Sequence, residues 1–408
     1  MIDLSKIYSS ILAFASSAKD QGLKKIKGAG RVYYSVLALL LIPMAWGGFS
    51  WVRIMFIDGV GITGSSDLVP WGIYIVGFVF FVGTSAGASL MGLMIHGFGR
   101  KDYEPLGTRA ILVGFLSLLA AVLFLMSDVG NPIRAGLLPA VLRNPTSMLV
   151  YTSMTYAGFA TLMLAELFFA VKITLQGGKG SYWDEKMAQV LAIGALLFAL
   201  MVVHAPHGAL FAFLKAREMW NTPLLPAHFV TVALASGIAV MIHISITTAK
   251  ITKKEIVSKE TLSHMGGLLA FFLGVTLFMD FFDYLVMGYS GKPHGLETWH
   301  LLTDVFFPFF LTNTMGMFIA MTILLFKWGR TLTGLFIASS ITIIAILAYR
   351  WDLIIVAQIP PLFPGIGEIY YTPTVPEWAV VVGVVSLVTF LYLVLTRVLP
   401  MEKTFQGN

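Results

Sequence analysis

Residues 107–128 have the sequence GTRAILVGFLSLLAAVLFLMSD, in which a single arginine near the start and a single aspartate at the end bracket an unbroken apolar run. A bilayer core about 30 Å thick is crossed by a helix of roughly 20 apolar residues. In lipid, only helices and closed barrels satisfy their backbone, and a barrel strand would show alternating apolar residues. The stretch therefore predicts a transmembrane helix.

Nine further stretches share this character. With the first, the predicted spans are 34–56, 71–97, 107–128, 148–175, 187–204, 224–247, 264–289, 303–326, 331–349 and 378–397. The composition agrees, because 57% of residues are hydrophobic and only 12% are charged, whereas soluble proteins carry about 25% charged residues. The predicted fold class is all-α, a polytopic transmembrane bundle of about ten helices.

The basic residues predict the orientation of these helices. Most of the 27 Lys and Arg residues fall in the N-terminal segment and in the loops on the same side, and the positive-inside rule then places both termini in the cytoplasm. The formal charge of +6 comes from these flanks and indicates anionic lipids as neighbours rather than nucleic acid. The chain has no cysteine, so it offers no thiolate for an iron–sulfur cluster.

The flanking segments complete the predicted organisation. Residues 1–30 are expected to lie on the membrane as a cytoplasmic interfacial amphipathic segment, since apolar residues recur at helical spacing from Leu4 to Ala18. A partly ordered tail with a cluster of lysines is the alternative. Residues 31–400 form the ten-helix domain, and residues 401–408 form a cytoplasmic tail.

The second span contains a run of small residues, GTSAGAS at 83–89. Small side chains let the backbones of two helices approach closely in lipid. We therefore predict tight packing against another helix here. A binding site for a flat ring against this backbone is the alternative.

Ionisable residues near or within the predicted spans are candidates for function, because placing them in lipid is costly. The predicted topology puts one group at or near the outer face: Asp128, His204, His207, Asp280, Asp283, Asp304 and Arg350. Carboxylates beside histidines suit proton-coupled chemistry, since histidine titrates near neutral pH. The alternative is that such helix-end residues reach water and pair with Arg134 or Arg350. We assign Asp304 and His207 to that alternative; for Asp128 and His204 function is favoured on the family resemblance described below.

Glu166 lies deeper, within the predicted fourth span and toward its cytoplasmic half. With Asp128 it could form two stations of a proton path. A neutral glutamic acid bonded to a neighbouring helix is the alternative.

The histidines allow one test for haem. A b-type haem in a bundle needs two histidines that face each other at equal depth. His96, His243 and His264 all fall near the predicted inner face, so a single pair is possible in principle. No histidine lies at mid-span with a partner on the same helix at haem spacing, so neither haem nor metal is expected.

Four sequence elements, in order along the chain, resemble the polysulfide reductase membrane-subunit (PsrC/NrfD) family in its long ten-helix form. They are PWGIY at 70–74 with the Gly/Ala-rich run after it, DVGNP at 128–132, His204 followed by WNTPLLP at 220–226, and Tyr371-x-Pro373 with Glu377. Similar chains are the membrane subunits of uptake hydrogenases, of alternative complex III and of the quinone reductase complex of sulfate reducers. One departure is Asn131, where the family often has arginine; Arg134 lies three residues on.

The resemblance implies a quinone/quinol-binding membrane subunit of a respiratory oxidoreductase complex. Asp128 and His204 match positions that act at the quinone head, and the resemblance adds Trp71, Tyr74 and Arg134 to the quinone-binding residues. Glu166 matches a carboxylate suggested to pass protons from the cytoplasm, and we add Asp280 and Asp283 to that predicted proton path.

The implied cofactor is menaquinone or ubiquinone, and the implied location is the bacterial inner membrane with the quinone site toward the periplasm. The implied partners are a periplasmic ferredoxin-like iron–sulfur subunit and a large catalytic or multihaem cytochrome c subunit. Two alternatives stay open from the residues alone: a proton-coupled secondary transporter, because ten helices with buried carboxylates suit one, and a haem b membrane anchor.

Overall fold

The computed structural model describes residues 28, 30–130, 147–176, 180–361, 365, 367, 369–399 and 401. These residues form helices and no strand, and ten of the helices are long and apolar enough to cross a membrane. They are α1 (Arg31–Ile57), α2 (Ile73–His96), α3 (Lys101–Asp128), α4 (Val150–Leu175), α5 (Tyr182–Ala212), α6 (Leu225–Thr252), α7 (Lys259–Tyr289), α8 (Phe307–Leu325), α9 (Leu332–Gln358) and α10 (Val375–Val398). The predicted all-α bundle of about ten membrane helices is confirmed.

The chain is thus a multi-pass membrane protein. Below, the upper face is the one at which the odd-numbered helices α1 to α9 end, and the lower face is the opposite one. The predicted interfacial segment 1–30 and tail 401–408 lie almost entirely outside the described residues.

The helices pack as two four-helix bundles in chain order. In the first bundle α2 packs on α3, α3 on α4 and α4 on α5, and α5 returns to α2. In the second bundle α6, α7, α8 and α9 follow one another in the same way, and α9 returns to α6. Helices α1 and α10 pair with each other beside the first bundle, where α10 contacts α3.

The two bundles meet where α2 crosses α6. A Cβ atom added to Gly87 would overlap the carbonyl oxygen of Ala233, and one added to Gly237 would overlap the backbone of Gly87. Backbone therefore touches backbone at this crossing, which only glycine permits. The close packing predicted for the run 83–89 is confirmed.

Two helices extend further than the sequence predicts. We expected α5 to end at His204, but a π-helical turn at Phe198–His204 joins it to a further α-helical segment, Ala205–Ala212. The wider turn accommodates Pro206, which has no N–H to donate, so the proline does not end the helix. Similarly, α9 continues beyond Arg350. His204 and Arg350 are therefore within their helices and not at their ends.

The α2–α6 crossing yields a stability prediction. Replacing Gly237 by alanine puts a methyl group into the backbone of α2, and overpacking of this kind costs about 1–3 kcal/mol. We expect Gly237→Ala to lower the thermal unfolding midpoint of the purified protein in detergent, followed by circular dichroism.

The matched control is Gly194→Ala in α5, where an added Cβ meets nothing within 4 Å. Alanine favours the helix over glycine by roughly 0.5–1 kcal/mol, so this variant should be neutral or slightly stabilised. Equal midpoints for the two variants would contradict the close crossing.

Candidate functional site

The start of α2 carries both aromatic residues predicted for the site. The Trp71 ring packs against Phe211 and Trp220, each with a centroid separation of 5.5 Å. Tyr74 is 3% exposed, and its hydroxyl finds no hydrogen-bond partner among the described residues. A buried hydroxyl without a partner is costly unless a ligand or another group meets it.

A buried carboxylate fixes the backbone around these aromatic residues. Glu377 is fully buried and accepts hydrogen bonds from the Gly64 N–H at 2.8 Å, the Thr374 N–H at 2.8 Å and the Tyr371 hydroxyl at 2.7 Å. The Tyr371 oxygen in turn accepts the Ile73 N–H at 2.9 Å. The α10 start, the loop before α2 and the first turn of α2 are thus tied to one carboxylate.

Tyr371 joins Glu377 to the backbone of Ile73, and this pair of hydrogen bonds is called the Tyr371 clamp below. Burial raises the pKa of its hydroxyl above the ordinary value of tyrosine, so the group stays protonated and keeps donating to Glu377. Sequence reasoning used the Tyr371–Glu377 motif only as a family signature. The structure shows that it is a positioning device for the start of α2.

A second link holds Trp71 from α9. The side chain of Gln358 accepts the Trp71 N–H at 3.1 Å and donates to the Trp71 carbonyl oxygen at 2.9 Å. Nearby, the indole N–H of Trp220 donates to the Leu353 carbonyl oxygen at 2.6 Å. Sequence reasoning missed Gln358, which lies beyond the predicted end of the ninth span.

Asp128 is the last residue of α3 and is half-buried. Tyr74 and Glu377 lie close enough to interact electrostatically with it. Trp71, Tyr74, Asp128 and Glu377 are called the upper-face cluster below. Arg134, the expected cationic partner, lies outside the described residues.

The two histidines of α5 occupy different surroundings. His204 is 1% exposed; its Nδ1 lies 2.8 Å from the Ala199 carbonyl oxygen, and its Nε2 has no hydrogen-bond partner among the described residues. A carbonyl only accepts, so Nδ1 donates its proton to Ala199. Eight residues separate His204 from the end of α5, which puts it about 12 Å below that end.

We expected His207 to reach water, but its side chain is buried. It is 2% exposed, its Nδ1 lies 2.5 Å from the Tyr156 hydroxyl, and its ring stacks on Phe211 at an interplanar angle of 7°. The expectation failed because α5 continues for another turn above this residue. Asp304, by contrast, is 71% exposed and lies 3.6 Å from His300, in agreement with its assignment as a solvent-facing residue.

The other predicted acids belong to the second bundle. Asp280 is 5% exposed and its Oδ1 lies 2.7 Å from His228 Nε2; His228 Nδ1 lies 2.9 Å from the Tyr349 hydroxyl. Asp283 accepts a hydrogen bond from the Thr222 hydroxyl at 2.9 Å. The predicted single cluster is therefore wrong in one respect, because residues at similar predicted depth are divided between two bundles.

Arg350 lies between His204 of the first bundle and Asp280 of the second. It is 1% exposed, and its guanidinium sits 4.6 Å from the Phe229 ring centroid and 5.1 Å from that of Tyr349. Two of its nitrogens, Nε and Nη1, lack hydrogen-bond partners among the described residues. Its charge interacts with both His204 and Asp280, so it links the two bundles electrostatically.

His228 and Tyr349 were missed by sequence reasoning. His228 lies inside the predicted sixth span, so the rule that ionisable residues in a span suggest function could have found it. Tyr349 gave no such signal, since tyrosine is common near helix ends.

Glu166 is buried in α4, with 4% of its surface exposed. It points at α2, where a Cβ added to Gly92 would lie 3.2 Å from its Oε1. Within the described part of the chain its carboxyl makes no hydrogen bond to a neighbouring helix. Glu166 is thus separate from the upper-face cluster and from the His228–Asp280 pair.

Two of the three histidines predicted near the inner face, His264 and His243, have side-chain partners. The two ring nitrogens of His264 lie 3.2 Å from Arg100 Nη1 and 2.6 Å from the Tyr103 hydroxyl, and His243 Nδ1 lies 3.2 Å from the Ser340 hydroxyl. Over the described residues, no three His, Asp or Glu side chains converge as a metal site.

Comparison with known proteins places this architecture in a family. Residues 61–361 match the family described as polysulphide reductase, NrfD. The chain belongs to this NrfD family. The recognition made from the four sequence elements is confirmed, and the matched region contains both four-helix bundles.

Three relatives match this NrfD protein over nearly their whole length. A subunit of the selenate reductase of Mesobacillus selenatarsenatis is 28% identical over 91% of this chain and 94% of its own. The Hdr-like menaquinol oxidoreductase integral membrane subunit of Archaeoglobus fulgidus is 27% identical over the same shares. The menaquinone reductase integral membrane subunit of Nitratidesulfovibrio vulgaris is 23% identical over 89% and 90%.

The Tyr371 clamp can be tested by removing a single oxygen atom. In Tyr371→Phe, Glu377 Oε1 loses a donor and the Ile73 N–H loses its acceptor, and each buried unpaired group costs about 1–3 kcal/mol. We expect a lower thermal unfolding midpoint and faster proteolysis of the loop before α2. Tyr182→Phe, at a residue 71% exposed, is the control and should behave as wild type. An unchanged Tyr371→Phe protein would show that the clamp does not hold α2.

Proposed function

We propose that this NrfD protein is the quinone-reactive membrane subunit of a respiratory oxidoreductase complex. The observation that carries the proposal is that two relatives aligned over about nine-tenths of the chain are named as membrane subunits of a menaquinol oxidoreductase and a menaquinone reductase. All three of the relatives above are named as subunits of redox enzymes. The substrate is accordingly menaquinone or ubiquinone, and the chain works within a complex rather than alone.

The upper-face cluster is the proposed site for the quinone head. Tyr74 offers a buried hydroxyl without a partner, Trp71 offers an indole face, and Asp128 offers a carboxyl within electrostatic range of Tyr74. Polar groups that converge in apolar surroundings are typical of sites for small lipophilic molecules. Arg134 and His204 complete the proposed set; His204 lies deeper than the cluster, about 12 Å below the end of α5.

The chemistry of the quinone defines the roles of these residues. Reduction of a quinone to a quinol takes up two electrons and two protons, and oxidation releases them. The chain contains no cysteine, so we propose that electrons pass to or from a periplasmic ferredoxin-like iron–sulfur subunit, itself joined to a large catalytic or multihaem cytochrome c subunit. Asp128 and His204 exchange protons and hydrogen bonds at the quinone head, which requires no metal or haem in this chain.

The proposed orientation follows from the distribution of Lys and Arg. The upper face is the periplasmic face of a bacterial inner membrane, and both termini lie in the cytoplasm. Glu166 then lies on the cytoplasmic side of the site and passes protons toward it, while Asp280 and Asp283 form the part of the path in the second bundle. Turnover would in that case move charge across the membrane.

The two alternatives are less well supported. A proton-coupled transporter fits ten helices, but the relatives are named as parts of redox enzymes. For the haem b anchor, His264 is unsuited because both of its ring nitrogens have partners, which leaves His96 and His243 as the candidate pair. An α-band in the reduced spectrum of the purified chain would favour the haem.

Asp128→Asn tests the proposed site. It removes the proton-exchanging carboxyl but keeps the shape, and loss of a general acid or base lowers rates by roughly 10²-fold or more. We expect quinone-dependent turnover of the purified complex to fall by this factor, while the subunit composition seen by mass spectrometry stays the same. Asp304→Asn, at an exposed upper-face acid, should keep full activity. Normal turnover in Asp128→Asn would remove this residue from the mechanism.

Glu166→Gln tests the proton path separately from electron transfer. The variant is placed in proteoliposomes with an internal pH dye. We expect electron transfer to continue without being coupled to proton movement, and proton uptake from the lower face to fall. Glu185→Gln, at an exposed residue near the lower end of α5, is the control. Unchanged proton uptake in Glu166→Gln would leave the residue with a packing role.

A further inference from the structure

A large cavity lies in the second bundle, away from the upper-face cluster. It has a volume of about 890 Å³ and runs between α7 and α8 from Tyr289 and Trp299 at its upper end to Gly274 and Met321 at its lower end. Fifteen residues of α7 separate Tyr289 from Gly274, which corresponds to roughly 22 Å of helix. The cavity therefore extends along about half the length of α7.

The cavity opens toward lipid. Apolar residues on this surface of α7 are exposed both below and above its middle, among them Phe278 at 64%, Phe281 at 61% and Leu285 at 47%. Phe318 on α8 is exposed to 51%. Apolar side chains exposed in this way face hydrocarbon in a membrane protein, so the occupant enters from the bilayer.

One wall of this apolar cavity carries a carboxyl group. Asp280 lines the cavity although only 5% of its surface is exposed. Its Oδ1 is paired with His228 Nε2, and His228 Nδ1 is paired with the Tyr349 hydroxyl. The tautomer that satisfies both contacts has Tyr349 donating to Nδ1 and Nε2–H donating to Asp280. The second oxygen of Asp280 is then free to accept a hydrogen bond from an occupant.

Further polar groups flank Asp280 on this wall. Tyr284 lines the cavity and its hydroxyl oxygen accepts a hydrogen bond from Asn313 Nδ2 at 3.3 Å, so its own proton is available to a ligand. Thr314 also lines the cavity. A donor and an acceptor thus lie within about one helical turn of each other on this wall.

The depth of Asp280 below the end of α7 distinguishes a phospholipid from other possible occupants. Asp280 lies nine residues below the end of α7, or roughly 14 Å, with exposed apolar residues above it. A phospholipid keeps its headgroup at the interface and would press acyl chains against the carboxyl, which is unfavourable. The wall instead suits a molecule with an apolar body and a neutral hydrogen-bonding head that enters the hydrocarbon region.

We propose that this cavity is a second binding site for an isoprenoid quinol or quinone, distinct from the upper-face cluster. A quinol hydroxyl donates to the free oxygen of Asp280, Tyr284 donates to a ring oxygen, and the isoprenoid tail follows the groove between α7 and α8. The identification of the ligand as a quinone rests on the proposed function, whereas the site itself rests on the cavity and its polar wall.

Photoaffinity labelling tests the proposal. The intact complex is placed in nanodiscs of phosphatidylethanolamine and phosphatidylglycerol and labelled with a diazirine-bearing menaquinone, and the labelled peptides are mapped by mass spectrometry. We expect label on α7 at 274–289 and on α8 at 314–321, in addition to the start of α2. Unlabelled menaquinone should displace both, and the α7–α8 label should persist in Asp128→Asn.

Two variants examine the cavity itself. Gly274→Phe fills its lower end; an added Cβ there is 3.4 Å from the flexible Met321 side chain, so the fold should tolerate it while the α7–α8 label is lost. Asp280→Asn removes the charged acceptor and should weaken this label roughly tenfold. Gly48→Phe, at a glycine of α1 with no neighbour within 4 Å of an added Cβ, is the control and should label as wild type.

Three other labelling patterns would contradict the proposals. Label confined to the start of α2 would overturn the second site and leave the proposed function standing. Label at α7 and α8 that added phospholipid displaces as well as menaquinone does would show a lipid seat and overturn the quinol assignment. Label at neither place would overturn both proposals.

Discussion

The backbone contact between α2 and α6 is the constraint on which the remaining architecture depends. Lipid provides no hydrophobic force between helices, so close packing must hold the two four-helix bundles together. Gly87 and Gly237 permit it by bringing the two backbones into contact. That contact sets where α9 lies against α2, and α9 supplies Gln358 to Trp71 on one side and Tyr349 to His228 on the other.

The polar groups are arranged around this contact as two separate systems. The upper-face cluster is fixed by Glu377, whose buried carboxyl group accepts hydrogen bonds from three donors in two segments, the loop before α2 and the loop before α10. The pair of His228 and Asp280 is enclosed in the second bundle. Arg350 is the charged residue between them, packed on aromatic rings rather than on a carboxylate. The guanidinium is thus met by the faces of aromatic rings.

Much of the fold could be predicted from sequence, because apolar length and the charge of the loops depend on the bilayer alone. Ten helices, the tight packing at 83–89 and the family followed from such local signals. The two bundles did not, since depth in the membrane says nothing about which helices are neighbours; Asp280 was therefore grouped with Asp128. The end of α5 was also misplaced, because proline after a π-helical turn looks in sequence like proline after a helix. The partner of Tyr371 is a backbone N–H almost 300 residues away, and no local pattern predicts such a contact.

The π-helical turn of α5 has a consequence for how this helix tolerates change in length. A turn of this kind holds one residue more than an α-helical turn, and everything beyond it is rotated by about 100° relative to an uninterrupted α-helix. His207 and Phe211 face Phe78 and Trp71 only in this rotated setting. The lower half of α5 and its aromatic upper end thus differ by about 100° in rotation about the helix axis. A single-residue deletion within Phe198–His204 would remove the extra residue, restore a regular helix and leave the aromatic end facing α2, whereas the same deletion in an α-helical part of α5 would turn that end away by about 100°.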